Sequence, residues 1–80
     1  MELKYDARHN VAYIRFRKKT AEVETVKVSD ELNIDLAPDG TIYGIELLNA
    51  NEQLRHEGMG ILRVIDEATG KHIEVSLNAA

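Results

Sequence analysis

Hydrophobic and polar residues alternate along several short segments of this chain, and turn-forming residues separate the segments. An apolar side chain at every second position is typical of a β-strand with one buried face. In the second segment, for example, Ala12, Ile14 and Phe16 alternate with Tyr13 and Arg15. The pattern predicts five strands, over residues 2–5, 12–17, 22–28, 32–36 and 42–48.

Turn chemistry between these segments supports hairpins. Asp6 can accept a hydrogen bond from its own turn, and Asn10 tolerates a positive φ. In the sequence "APDG", Pro38 presets φ and Gly40 can adopt the left-handed conformation that closes a hairpin with a bulge. The connections are too short for crossovers, so the strands are expected to be mainly antiparallel.

A short helix and one further hairpin follow the fifth strand. Asn49 and Glu52 have the spacing of a capping box, and Gly58 is a stop signal about two turns later. The sequence "ILRVIDEATGKHIEVSL" then predicts two strands joined at Thr69-Gly70. Its apolar face must cover something, either its own sheet or another subunit.

The predicted fold is β-rich α+β: an antiparallel meander of about five strands, one short helix and a C-terminal β-hairpin. The 80 residues predict a single domain. Its main part spans residues 1–57, and an additional hairpin follows over residues 60–78. In the fifth strand, alternation assigns Tyr43, Ile45 and Leu47 to one face and Ile42, Gly44, Glu46 and Leu48 to the other. The predicted core consists of Leu3, Ile14, Phe16, Val26, Val28, Leu32, Ile34, Leu36, Ile45, Leu47, Leu54, Ile73, Val75 and Leu77.

Two blocks of the sequence resemble a known family. "YDARHNVAYIRF" and "LNIDLAPDGTIYGIELLNA" are similar, in order and spacing, to the small prokaryotic domain-of-unknown-function family 2283. The chain departs from that pattern at Asn10, where an acidic residue is usual, and at Ala12, which is small. The resemblance implies a small β-rich fold and, more loosely, an antitoxin-like or accessory role. The matching positions are Tyr5, Asp6, Tyr13, Ile14, Asp35, Gly40, Gly44, Ile45 and Glu46.

Composition narrows the function classes. The chain has no cysteine, which excludes disulfides, thiolate metal sites and thiol nucleophiles. It has no signal-peptide pattern, and no apolar run approaches the roughly 20 residues that cross a bilayer. We therefore expect a cytosolic soluble protein. Three scattered histidines do not have the convergent spacing of a zinc site, and we expect no metal or cofactor.

Two carboxylates could carry chemistry. Asp35 and Glu46 stand on strands joined by the APDG turn, so an enzyme could use them as general acid and base. The alternative is that both lie on the polar face of a half-wet antiparallel sheet, which we favour. Glu46 is then expected to pair with Arg15 or Arg17. Gly44, inside the same strand, is expected to mark a bulge or a close approach by another element, such as the helix.

One basic segment suggests a third function. Arg15, Arg17, Lys18 and Lys19 follow Tyr13, and basic residues beside an aromatic ring can bind single-stranded nucleic acid. The net charge of −4 opposes binding by phosphate neutralisation, so the sequence favours this only as a weak activity.

Protein partners fit the sequence better. A small sheet has open edges, and a chain of this length gains stability by associating. We expect a non-enzymatic interaction module, with a homodimer favoured and a small basic protein as another partner. The candidate contact residues are Tyr13, Arg15, Arg17, Asp35, Tyr43 and Glu46.

Overall fold

The computed structural model describes residues 1–18, 22–55 and 60–77. The described residues form a five-stranded antiparallel sheet, one short helix and a separate two-stranded hairpin, which confirms the predicted fold class. The described helix is too short to cross a membrane. The elements are β1 (Glu2–Asp6), β2 (Val11–Arg15), β3 (Glu24–Ser29), β4 (Leu32–Leu36), β5 (Ile42–Leu48), α1 (Ala50–Arg55), β6 (Ile61–Ile65) and β7 (His72–Ser76).

The strand order in the large sheet is β1-β2-β5-β4-β3. A hairpin of β1 and β2 therefore lies beside a meander of β3, β4 and β5, and the last strand of that meander pairs with β2. The turns follow the sequence signals: Asn10 has φ 58° and Gly40 has φ 88°. Only β1 and β3 are open edges of this sheet.

The sheet has two chemically different faces, because successive side chains of a strand point to opposite sides. The register aligns the side chains into rows that cross all five strands. We call one side the polar face; its rows are Glu2, Arg15, Gly44, Asp35, Thr25 and Lys4, Tyr13, Glu46, Asn33, Lys27. We call the other side the apolar face; its rows are Leu3, Ile14, Ile45, Ile34, Val26 and Tyr5, Ala12, Leu47, Leu32, Ser29, with a shorter row of Ile42, Leu36 and Glu24.

Helix α1 covers one end of the apolar face and is capped from outside itself. The Asn10 side chain accepts a hydrogen bond from the Asn51 backbone N–H at 2.8 Å, and the Asn10 carbonyl accepts from Ala50 at 3.1 Å. Asn49 and Glu52 contact each other, since the Asn49 side chain donates to Glu52 at 3.4 Å, but the cap of the first backbone N–H groups comes from the β1–β2 turn. Asn49 instead adopts φ 53°, where the chain leaves β5. The predicted stop at Gly58 lies outside the described residues.

Very little of the predicted core is buried. Among the described residues, the buried apolar side chains are Ala12 on β2 and Ala50 at the start of α1, two elements that contact each other. Away from the helix, Phe16, Val26 and Ile42 remain about 40% exposed (41%, 38% and 41%). The prediction that Phe16, Val26 and Val28 belong to a buried core is wrong for the single chain, because a helix of six residues is too short to cover five strands.

The C-terminal hairpin is exposed throughout. Every residue from 61 to 76 is solvent-exposed, so the hairpin is not packed against the sheet or α1. One of its faces is entirely apolar, since Leu62 pairs with Val75 and Val64 pairs with Ile73. The predicted core positions Ile73 and Val75 thus lie in solvent within one chain. An isolated two-stranded hairpin is at best marginally stable in water.

Substitution of Asn51 tests how α1 is attached to the β1–β2 hairpin. Its side chain accepts from the Tyr5 hydroxyl at 2.6 Å and donates to the Ala7 carbonyl at 3.0 Å. We expect Asn51→Ala to lower the free energy of unfolding by about 1–3 kcal/mol, since a net hydrogen bond contributes about 0.5–1.5 kcal/mol. Urea unfolding measures this, with the neighbouring exposed position, Glu52→Ala, as the control. Equal losses in the two variants would contradict the attachment.

Candidate functional site

The polar face is organised around Tyr13. Its side chain leaves β2, passes over Gly44 on β5, and donates its hydroxyl hydrogen to Asp35 Oδ2 on β4 at 2.6 Å. The other carboxylate oxygen, Asp35 Oδ1, accepts from the Thr25 hydroxyl on β3, also at 2.6 Å. One chain of side-chain hydrogen bonds therefore links three strands, β2, β4 and β3.

Gly44 makes this crossing possible. A Cβ atom at position 44 would lie 2.6–2.7 Å from the Tyr13 ring carbons Cζ and Cε1, and closer still to the hydroxyl oxygen. Such distances are well inside van der Waals contact. The predicted close approach at Gly44 is thus confirmed, but the approaching group is the Tyr13 ring and not the helix.

A bulge places Tyr43 on the polar face too. The pairing shifts after Asp35, so that Asp35 faces Gly44 while Leu36 faces Ile42. Tyr43 is the extra residue, and it lines the same depression as Tyr13 and Asp35. The predicted grouping of Tyr43 with Ile45 and of Ile42 with Gly44 is therefore wrong, because alternation fails at a bulge.

The charged side chains of this face mostly bind one another. Glu46 accepts from the Asn33 side chain at 3.0 Å, and Arg15 pairs with Glu2 at 3.1 Å. The predicted pairing of Glu46 with Arg15 or Arg17 is therefore wrong. Glu46 lies on the row next to Asp35, beside Tyr13 and Asn33.

The structure gathers four predicted contact residues around one open depression of about 310 Å³. These four are Tyr13, Arg15, Asp35 and Tyr43. Arg17 and Lys18 line a neighbouring depression of about 280 Å³, where Arg17 donates to Thr41 at 3.4 Å. Lys19 lies outside the described residues, so the predicted basic segment is only partly visible.

The hydrogen bonding of the polar face leaves no evident acid–base pair. Burial raises the pKa of Tyr13 above its ordinary value near 10, and the bond to the Asp35 carboxylate raises it further. Tyr13 is therefore a protonated donor at neutral pH. Both oxygens of Asp35 are already accepting hydrogen bonds. In residues 1–18, 22–55 and 60–77, no cluster of three or more His, Asp or Glu side chains could hold a metal ion.

The apolar face is the second candidate site, and sequence reasoning assigned its residues to the interior instead. Its exposed members include Val26, Ile42 and Phe16, and they continue a surface that also carries Ile34, Ile45 and Ile14. Exposed contiguous apolar surface on a small domain marks an interaction site. The sequence signal was present in the shortness of the helix, which could never cover two full rows of the sheet.

Pairwise substitution tests the contact between Tyr13 and Gly44. We expect Gly44→Ala to destabilise the fold by about 1–3 kcal/mol, because the methyl group must displace the tyrosine ring. In a Tyr13→Ala background the same substitution should stabilise by roughly 0.5 kcal/mol, since glycine is unfavourable inside a strand. Urea unfolding of the four proteins gives the coupling energy. Additive effects would exclude the contact, and Tyr13→Phe, which keeps the ring, should keep the penalty.

The raised pKa of Tyr13 predicts a loss of stability in alkali. Because the folded protein holds this proton more tightly than the unfolded chain, the stabilisation is complete below pH about 10 and is lost as the pH rises above it. The free energy of unfolding of the natural protein should therefore fall more steeply from pH 9 to pH 11 than that of Tyr13→Phe. Parallel decreases in the two proteins would contradict the assignment.

Comparisons with known proteins identify a family for the sheet but not an activity. The family described as "Protein of unknown function (DUF2283)" matches residues 2–51, which is more than half of the chain. The match contains the five-stranded sheet and the start of α1, and the β6–β7 hairpin lies beyond it. No curated protein matches the chain, and no solved structure matches it. The chain therefore belongs to the DUF2283 family of proteins of unknown function.

Proposed function

We propose that this protein is a non-enzymatic protein-interaction module that binds through the apolar face of its sheet. The observation that carries the proposal is the absence of a covered interior: within the described residues no large side chain is fully buried. Burying apolar surface contributes about 25 cal/mol per Å², so the part-buried aliphatic rows and the exposed Phe16, Val26 and Ile42 leave stabilisation that a covering layer would supply. A protein partner supplies the missing cover.

The arrangement of the polar face supports the same proposal. An enzyme needs polar groups that are free to meet a substrate, whereas Asp35, Glu46 and Arg15 are each bonded to a neighbour on the sheet. The polar face is better explained as a network that fixes strand register. Its exposed ion pair of Arg15 and Glu2 contributes at most about 1 kcal/mol, so its role is local.

Charge bears on the choice of partner. A net charge of −4 speeds encounter with basic proteins, which favours a small basic partner. That partner remains a prediction. Arg15 is neutralised by Glu2, which weakens the case for nucleic acid as the ligand. The antitoxin-like role that the family resemblance implies would be one form of such protein binding.

Two lysine substitutions on adjacent residues of β3 test the proposal. Val26 lies on the apolar face and Thr25 on the polar face, where a lysine would stand opposite the Asp35 carboxylate. We expect Val26→Lys to weaken association at least about tenfold, which corresponds to roughly 1.4 kcal/mol, and Thr25→Lys to change it less than about twofold. Native mass spectrometry of the nuclease-treated protein, with everything that copurifies, measures the association.

Circular dichroism establishes that both variants are folded before the comparison. If the natural protein remains a single chain at all concentrations and retains no other protein, the proposal fails. Equal weakening by Val26→Lys and Thr25→Lys would also contradict it, because the binding surface would then not be the apolar face.

A further inference from the structure

We infer that the partner of the apolar face is a second copy of this chain, and that each copy lays its β6–β7 hairpin on the sheet of the other. This inference rests on the proposed function, since it names the partner for the same surface. It joins two apolar surfaces that the single chain leaves open, one on the sheet and one on the hairpin.

The hairpin provides a surface of suitable chemistry. Its apolar side consists of two cross-strand pairs, Leu62 with Val75 and Val64 with Ile73. These four side chains are 39–63% exposed, and an isolated two-stranded hairpin is at best marginally stable in water. The opposite side carries the ion pair of Arg63 and Glu74 at 3.2 Å, so that side is suited to water.

The sheet provides a surface of suitable size. Helix α1 covers the end of the apolar face near Ala12, and the uncovered end contains Phe16, Val26 and Ile42. Strands β6 and β7 have five residues each, as do β2 and β4, so the hairpin matches the sheet in length. Two such layers pack about 10 Å apart with interdigitating side chains.

The exposed area indicates how much surface a partner must cover. The chain exposes 6283 Å², about 1,400 Å² more than the roughly 4,900 Å² expected for a folded monomer of its 9.0 kDa mass. A standard interface buries about 800 Å² on each partner, and obligate homodimers bury more. The radius of gyration, 14.1 Å, likewise exceeds the value of about 11.6 Å expected for 80 residues.

Exchange between two copies explains why both surfaces remain open in one chain. The hairpin and the sheet have complementary apolar faces, yet residues 61–76 are all exposed in the single chain. In a two-fold dimer the hairpin of each copy covers the sheet of the other, so symmetry forms the same contact twice and buries both apolar surfaces of both chains. The rows of the apolar face carry one charged residue, Glu24 on the edge strand β3. The repulsion between two chains of net charge −4 acts mainly at a distance and is screened by salt.

The absence of native cysteine allows a direct test. One variant carries Val26→Cys and an affinity tag, and a second, untagged variant carries Ile73→Cys. The two are mixed, allowed to exchange subunits, and treated with a short bifunctional maleimide. We expect a cross-linked pair containing one tagged and one untagged chain. Its control is Ile65→Cys in place of Ile73→Cys, since both isoleucines are exposed but lie on opposite sides of the hairpin.

We expect the Val26–Ile73 mixture to give at least about tenfold more of the mixed pair than the Val26–Ile65 mixture, which corresponds to roughly 1.4 kcal/mol of preference. Ile73→Lys should dissociate the dimer, and Ile65→Lys should leave it intact. Sedimentation at increasing salt should show a dimer of unchanged or greater stability, as expected for apolar contact between chains of like charge.

Other outcomes separate this inference from the proposed function. A dimer with equal cross-linking to Ile73→Cys and Ile65→Cys overturns the hairpin exchange but leaves the interaction module in place. An assembly that contains a different protein and one copy of this chain overturns the inference alone. A third variant carries both Val26→Cys and Ile73→Cys. If it remains a single chain and the two cysteines are linked within one molecule, both the inference and the proposed function are overturned.

Discussion

The Tyr13 hydroxyl reaches Asp35 because Gly44, on the strand between them, has no side chain. This contact constrains the three central strands together, since a shift of one residue in any pairing would remove the ring, the glycine or the carboxylate from its place. The same register sends most aliphatic residues of the strands to the opposite face, with Val11 and Leu48 as exceptions. A polar network on one side of the sheet thus determines the apolar surface on the other.

The two faces differ in whether they need a covering layer, and the chain is too short to provide one for the apolar face. The polar face needs no cover, as its carboxylates and hydroxyls bond to one another and its rim is open to water. The apolar face needs a second layer, and the part of the chain next to it supplies only six helical residues. The two-strand hairpin that could complete the layer lies apart from the sheet. This shortage is the physical basis of the proposed association.

Much of the fold could be predicted from the sequence because the deciding signals are local. Alternation located the strands, and the APDG turn located the hairpin with Gly40 in the left-handed conformation. The wrong predictions of side-chain partners have a common cause. Which side chains meet depends on which strands are neighbours in the sheet, and that order is not a local property of the sequence. The pairing of β2 with β5 is invisible to local pattern, so neither the Tyr13–Asp35 bond nor the cap that Asn10 gives to α1 could be predicted. The bulge at Tyr43 likewise breaks the alternation on which its face was assigned.

We expect the apolar face to be covered in solution while the polar face stays open. Nuclear magnetic resonance with a soluble paramagnetic agent tests this claim directly, because relaxation of each methyl group reports its distance from solvent. The account predicts that the methyl groups of Val26, Ile42 and Ile73 are protected in the assembled protein, although they are 38%, 41% and 63% exposed in one chain. Met1, which is 89% exposed, gives the reference for a methyl group in open solvent. Relaxation of the three methyl groups as strong as that of Met1, at concentrations where the natural protein is assembled, would contradict the account.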